Sequence, residues 1–366
     1  MVLKKNIAIA TINKNAYSET FIKAQIELLP AKLVFYGGWL PLFYGENISI
    51  NNKYKMKLNQ LFNLFFRRTI FNTISDFIYI LKKQKIDVVL AQYGPAGVKL
   101  MDICNKANVS LVVHFHGFDA SEKDTLSYYE KSYQDLFVKA KKIIVVSQAM
   151  KSKLISLGCV EDKLALITYG PNDDFLKNEP KYNSNTFFAI GRFVDKKAPY
   201  LTLMAFYEVL KEFPEAKLKM AGSGELLNTC KNMVKAWNIS DSVTFLGIIK
   251  PAQTRLEMEN SLAFVQHSVV ADNGDSEGTP LAVLEAQAAA LPVIATYHAG
   301  IPDVVINNET GFLLKETDII AMKDAMIKII SNKDLAKKMG VKGRERIKKE
   351  FTMDIYINKL RVILNE

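Results

Sequence analysis

The residue pattern predicts an α/β fold made of two Rossmann-like halves, on three observations. Short β-branched runs alternate with amphipathic stretches along the whole chain, the signature of βαβ units and a parallel sheet. The alternation breaks at residues 170–186, where Gly170-Pro171-Asn172-Asp173-Asp174 and the polar run Lys181-Tyr182-Asn183-Ser184-Asn185 interrupt it. A length of 366 residues also suits two cores better than one.

In order, strands are expected at 7–11, 31–35, 88–91, 111–115 and 143–146, with helical patterns at 21–29 and 61–83. The second half repeats the scheme. Its strands are expected at 187–190, 217–221, 243–246, 263–266 and 293–295, and its helices at 198–212, 226–236 and 251–260. The domains are set at 1–175 and 176–352. Open α/β sheets bind ligands beyond the carboxyl ends of their strands, so the loops there are where chemistry is sought.

Composition narrows the class. With 49% hydrophobic and 23% charged residues the chain is an ordinary globular protein. Cys104, Cys159 and Cys230 are odd in number and widely spaced, which argues against a disulfide framework or zinc site and for a reducing compartment. The apolar run after Lys4-Lys5 is too short for a signal peptide, and no run of about 18 apolar residues follows. A cytoplasmic protein is expected.

Charge is uneven. Residues 1–178 hold 24 Lys and Arg against 15 Asp and Glu, and the remainder 24 against 23. The basic half would meet anionic lipid or a phosphorylated acceptor; nucleic acid is disfavoured because no binding motif accompanies the charge. Lys53, Lys55, Lys57, Arg67 and Arg68 flank apolar residues such as Leu61, Phe65 and Phe66. A helix of that kind either lies against anionic membrane or packs its apolar stripe on its own sheet.

The chemistry-bearing stretch is Glu277-Gly278-Thr279-Pro280-Leu281-Ala282-Val283-Leu284-Glu285. Thr279 as N-cap and Pro280 in the first turn predict a helix running to Ala290. Its N–H groups and dipole would receive phosphate, with one carboxylate on either side. Glu277 would bond sugar hydroxyls and Glu285 the vicinal ribose hydroxyls, because a carboxylate accepts from two neighbouring O–H groups. Gly191-Arg192-Phe193-Val194-Asp195-Lys196-Lys197 follows the first strand of the second half, so Arg192 and Lys197 are placed to stabilise charge on a departing phosphate. Gly222-Ser223-Gly224 lacks the third glycine of a dinucleotide fingerprint. In the first half, Ser18-Glu19-Thr20-Phe21 reads as a capped helix start. His116-Gly117-Phe118-Asp119 closes a strand. No histidine pair has zincin spacing and no Asp-x-Asp ends a strand, so no metal and no cofactor are expected.

These motifs together resemble the E-x7-E signature of family 4 retaining glycosyltransferases of the GT-B type, with Asp272-Asn273-Gly274-Asp275-Ser276 similar to the bacterial cell-surface polysaccharide branch. The resemblance covers roughly residues 5–350. It implies two Rossmann-like domains facing across a cleft, with a final helix at about 353–366 returning to the first. It implies a nucleotide-sugar donor (UDP- or GDP-sugar) bound by Gly191, Gly222, Gly247, Gly278, Thr279, Pro280, Leu281 and Glu285. A glycan or lipid-linked acceptor would be bound by Ser18, Glu19, Thr20 and Asp119, and Glu277, His116, Arg192 and Lys197 would be catalytic. The leaving phosphate would take the acceptor's proton on the same face, without a covalent nucleophile. Departures are Ala198 and Ala290 where glycine is usual, His267 for a common proline and Asp303 for a common glutamate. The alternatives are a sugar-nucleotide 2-epimerase on the same fold and a non-catalytic carbohydrate-binding subunit.

Overall fold

The computed structural model describes residues 4–13, 19–50 and 73–366. The chain divides into two compact units. One comprises Met1–Val146, Met150–Ile167 and Ile357–Glu366; the other comprises Ser147–Ala149 and Thr168–Tyr356.

Among the described residues, the first unit is built on an eight-stranded sheet. Its strands are β1 (Ile7–Ala10), β2 (Leu33–Tyr36), β3 (Phe43–Tyr44), β4 (Ile48–Ser49), β5 (Val88–Gln92), β6 (Ser110–His114), β7 (Lys142–Val145) and β8 (Leu164–Leu166). They lie in the order β4-β3-β2-β1-β5-β6-β7-β8. All pairings are parallel except β2–β3 and β3–β4. β1 and β5 are buried along their whole length, which is why they read as continuous apolar runs rather than alternating ones. Thr20–Leu28 is helical, with Glu19 rather than Ser18 in the N-cap position; Ser18 and the basic residues 53–68 lie outside the described residues. The last helix, Met353–Asn365, ends in the first unit. Arg361 donates to the Leu28 carbonyl at 3.0 Å, and the Lys4 N–H to Asn365 Oδ1 at 3.0 Å.

The second unit holds six strands, all parallel: β9 (Thr186–Ile190), β10 (Lys217–Ala221), β11 (Val243–Gly247), β12 (Ala263–Gln266), β13 (Val293–Thr296) and β14 (Gly311–Leu314). The order β11-β10-β9-β12-β13-β14 is the doubly wound arrangement, whose direction reverses between β9 and β12. Phe187, Leu203, Phe206, Val265, Ile294 and Met326 are fully buried in its core.

Against expectation, the sheets gain β3, β4, β8 and β14. Two-residue strands are too short to show a period, and β14 begins with the glycine of a turn-like Asn-Glu-Thr-Gly run. The first-half strands otherwise fall within a residue or two of their predicted bounds.

The loop behind β10 is tied to the one behind β9. Gly222 has φ +126°, and a Cβ there would sit 1.8 Å from the Gly191 carbonyl oxygen. No side chain fits that approach. Gly222→Ala is therefore expected to destabilise the second unit by roughly 3 kcal/mol or more, the range of clashes that force a backbone to move. Urea unfolding followed by circular dichroism checks it; an unchanged midpoint would mean that the two loops separate freely.

Candidate active site

The best-defined constellation in the second unit lies beyond the carboxyl ends of β9 and β12, the strands flanking its reversal. β9 delivers Gly191 and Arg192, and a short 3-10 turn, Asp195–Lys197, aims Lys196 and Lys197. Ala198 closes that turn in the left-handed conformation (φ 35°, ψ 52°), so the loop keeps a glycine-like shape although alanine stands there. Lys197 Nζ lies 2.9 Å from Glu277 Oε1, with 15% and 9% of the two side chains exposed. Lys196 Nζ, one residue earlier, bonds Asp275 Oδ1 at 2.9 Å and the Ser276 carbonyl at 3.1 Å. The two lysines thus latch the loop that carries Glu277. Arg192 is exposed beside them, near enough for its charge to lower the Lys197 pKa. A cavity of about 30 Å³ lies between Gly191, Arg192, Lys197, Ala221, Gln266 and His267.

Electrostatics follow from burial. Desolvation raises the Glu277 carboxyl, but Lys197 and Lys196 outweigh it and pull the group down to about 2. Lys197 is lowered by its own desolvation, partly offset by Glu277. Glu285 is different. It sits a turn inside the helix Leu281–Ala288, is half-buried, and among the described residues has no ion-pair partner. Desolvation alone pushes it up to about 8.

The helix itself starts one residue later than predicted. Pro280 is extended (φ −64°, ψ 117°) and holds the N-cap position, so Thr279 is not the cap. The helix ends at Ala288 rather than Ala290, because Ala290 turns left-handed at φ 61°. The Gly278 carbonyl accepts the Gly300 N–H at 3.0 Å, and a Cβ on Gly300 would lie 2.3 Å from Thr279 Oγ1. Gly222 donates to the Gly247 carbonyl at 2.7 Å. Gly191, Gly222 and Gly247 therefore form one run of loops, and Gly278, Thr279 and Pro280 join a second loop, after β13.

Residues outside the expected catalytic and donor-binding sets complete the arrangement. The Glu277 N–H donates to His298 Nε2 at 3.1 Å, and His298 Nδ1 lies 2.6 Å from Glu316 Oε1. The other oxygen of Glu316 accepts the Val270 N–H at 2.9 Å. His267 Nε2 accepts the Thr317 N–H at 2.8 Å, and desolvation takes its pKa down to about 4. Asp303 accepts the Gln148 N–H at 2.7 Å, a holding role that glutamate would fill with a longer arm. The sequence signals for this layer are that His267 and His298 both follow strands and that His267 and Asp303 depart from the family pattern.

In the first unit, His116 is buried and lowered by desolvation and by neighbouring His114. Its Nε2 lies 2.8 Å from Gln92 Oε1. Gln92 in turn bonds Gln25 at 2.6 Å, and Gln25 bonds His114 Nδ1 at 3.3 Å. Asp119 is fully buried and takes backbone N–H groups from Gly94, His116 and Gly117 at 2.9 to 3.0 Å. It braces the turn that carries His116, and with no exposed surface it is not placed to touch an acceptor directly. Burial raises its carboxyl to about 6 against those three donors. Glu19 accepts the Tyr93 hydroxyl at 2.8 Å, beside a ring cluster in which Trp39 meets Tyr93 at 5.8 Å and Phe118 at 6.2 Å. Thr20 is exposed at the helix start. Among the described residues no group of His, Cys, Asp and Glu side chains is arranged to hold a metal ion, and no helix is long and apolar enough to cross a membrane.

Comparison with known proteins decides the family. The model for glycosyl transferases group 1 matches residues 172–346, and the model for glycosyltransferase family 4 matches residues 34–175. The chain is a GT-B glycosyltransferase of these families. WcaL of Escherichia coli K12, provisionally named a colanic acid biosynthesis glycosyltransferase, is 24% identical over 76% of this chain and 70% of its own. The amylovoran biosynthesis glycosyltransferase AmsK of Erwinia amylovora is 25% identical with the same coverages. Among solved structures, Anabaena HepE in complex with UDP superposes with a TM-score of 0.79 at 14% identity, over 98% of this chain and 99% of that one. That likeness supports the fold.

The two carboxyls of this glycosyltransferase should respond oppositely to pH. Glu277, lowered to about 2, contributes stability that is present above the ordinary carboxyl range and lost as pH falls toward 2. Glu285, raised to about 8, contributes stability that is present below its ordinary pKa and lost as pH rises through 8. Each pKa unit of such displacement corresponds to about 1.4 kcal/mol. Glu285→Gln should thus match the parent's melting temperature at pH 5 and exceed it at pH 9. Calorimetry at the two pH values checks this, and equal melting at both would contradict a desolvated Glu285.

Proposed function

We propose that this glycosyltransferase transfers a sugar, with retention at the anomeric carbon, from a UDP- or GDP-sugar to a glycan or lipid-linked acceptor of a surface polysaccharide. The observation that carries the reading is the Lys197–Glu277 pair with Arg192 beside it. A donor's diphosphate would draw the ammonium and guanidinium to itself and free the ionised Glu277 for the sugar's hydroxyls. Charge developing on the leaving phosphate is then met by fixed cations in a partly dry site, where such interactions count most. The glycine loops at Gly191 and Gly222 let phosphate approach backbone. N–H groups at Leu281 and Ala282 add the helix start.

Glu285 would bind the ribose through its vicinal hydroxyls, and because binding ionises it, the affinity rises with pH up to about 8 and levels off above it. Arg192 and Lys197 supply the countercharge, so we propose activity without a metal ion. The leaving phosphate takes the acceptor's proton on the same face, which gives retention without a protein nucleophile. On the acceptor side, Glu19 with Trp39 and Phe118 offers a carboxylate beside apolar ring faces, which suits a sugar. AmsK acts in amylovoran biosynthesis by its name, and we extend a surface-polysaccharide role to this chain on that ground. The excess of basic residues in the first half supports a peripheral contact with anionic membrane, and the lack of a recognised binding motif disfavours nucleic acid.

Thermal shift against UDP-, GDP- and ADP-sugars identifies the donor, since a ligand at a hundred times its Kd adds about 2.7 kcal/mol. With that donor, Glu277→Gln should mainly lower kcat and Glu285→Gln should mainly raise the donor KM, because ribose contacts are alike in ground and transition states. Wild-type kinetics in both variants would place the chemistry elsewhere. Activity should survive exhaustive EDTA treatment and dialysis; a loss restored by manganese would refute the cationic clamp.

A further inference from the structure

Glu277 stands at the end of a relay that begins in the loop after β14. A backbone N–H can only donate, so His298 Nε2, 3.1 Å from the Glu277 nitrogen, must carry a lone pair. The ring proton then sits on Nδ1 and points at Glu316 Oε1, 2.6 Å away. Glu316 is itself fixed by the Val270 N–H at 2.9 Å, and the His298 side chain is 1% exposed. An imidazole protonated on Nε2, or an imidazolium, would set N–H against N–H at this contact. Glu316 is the group that selects the tautomer.

We propose that His298, held in the Nδ1–H tautomer by Glu316, is the positioning residue that sets Glu277 for catalysis. The inference rests on the reading of Glu277 as the sugar-holding carboxylate. Lys197 binds the tip of Glu277 and His298 binds its backbone, so the side chain is held at both ends. Lys196 fixes the preceding Asp275-Ser276 pair, which leaves residue 277 itself to the imidazole. The Gly300 N–H to the Gly278 carbonyl, 3.0 Å, then carries the same registration into the helix start. The loops after β12, β13 and β14 thus share one hydrogen-bonded frame whose function is geometric: His298 touches no reacting atom.

The relay predicts a pattern that a purely structural histidine does not. His298→Ala should lower kcat by about 10- to 100-fold, as loss of a supporting hydrogen bond does elsewhere, with donor KM within about twofold. His298→Gln returns an acceptor near the Nε2 position and should recover most of kcat. Glu316→Gln keeps an acceptor for Nδ1–H and should stay near wild type, whereas Glu316→Leu should fall with His298→Ala. Independently, long-range proton–nitrogen spectra of the full chain labelled at histidine nitrogen, assigned with His298→Gln, should show Nδ1 protonated and Nε2 bare at neutral pH. An Nε2–H tautomer would overturn the relay whatever the kinetics. The expected tautomer with unchanged kcat in His298→Ala would overturn the positioning role, and a rise in donor KM alone would replace it with a direct donor contact. Should His298→Ala not fold, the Glu316 pair and the spectra still decide. Activity of Glu277→Gln, measured alongside, tells failure of this relay from failure of the Glu277 reading itself.

Discussion

The Lys197–Glu277 pair is the contact on which the second unit's ligand face depends. Two opposite charges withdrawn from water roughly break even against a hydrophobic pair of the same size, so stability is a poor reason to keep them. What the pair does is hold two groups in the ionised form where burial alone would neutralise them. Desolvation pushes Glu277 upward, and the two lysines do most to bring it down to about 2. Loss of either partner strands a charge in a dry loop. The pair is thus self-neutralising at rest, and an anion competing for the ammonium would leave the carboxylate open to a hydrogen-bond donor.

The sheet explains why these groups meet although Lys197 and Glu277 are far apart in sequence. Parallel strands deliver all their carboxyl ends to one edge, and the reversal between β9 and β12 opens a gap there. β9 supplies the cations and β12 the carboxylate loop. β10 and β11 add Gly222 and Gly247, and β13 and β14 supply the supporting layer of His298 and Glu316. Every member lies within one unit.

How much of this was legible in the sequence depends on range. Glu277, Glu285, Arg192 and Lys197 stood out because each follows a strand or opens a helix, a local signal. The Lys196 latch and the His298–Glu316 relay did not, since they pair residues from different loops and no local pattern encodes the pairing. The Thr279 cap misled because Ser or Thr before Pro is a sound N-cap signature. The nearby Gly278–Gly300 contact accompanies an extended Pro280, and the helix begins at Leu281. The resemblance implies an acceptor contact for Asp119; its burial under three N–H donors makes it a brace instead. The β3–β4 meander escaped because two-residue strands have no period to read.

The two alanines at glycine positions show loops held in a left-handed shape by burial and by their backbone bonds. Ala198 at φ 35° and Ala290 at φ 61° each hold a left-handed conformation that costs an L-residue about 1–2 kcal/mol. Such conformations persist where the surroundings over-determine them, and both residues are buried. At Ala198, two backbone bonds from its own N–H, to the Val194 and Asp195 carbonyls at 3.2 and 2.9 Å, tie the turn that aims Lys197. At Ala290, the Gln287 carbonyl takes the N–H at 2.9 Å and the Tyr182 hydroxyl caps the carbonyl at 2.5 Å, which fixes the far end of the helix that carries Glu285. Glycine would reach the same φ without strain but would leave the chain freer to depart from it. With alanine, departure must break these contacts, so the cation turn and the carboxylate helix are shaped before any donor binds, and binding energy need not be used to order them.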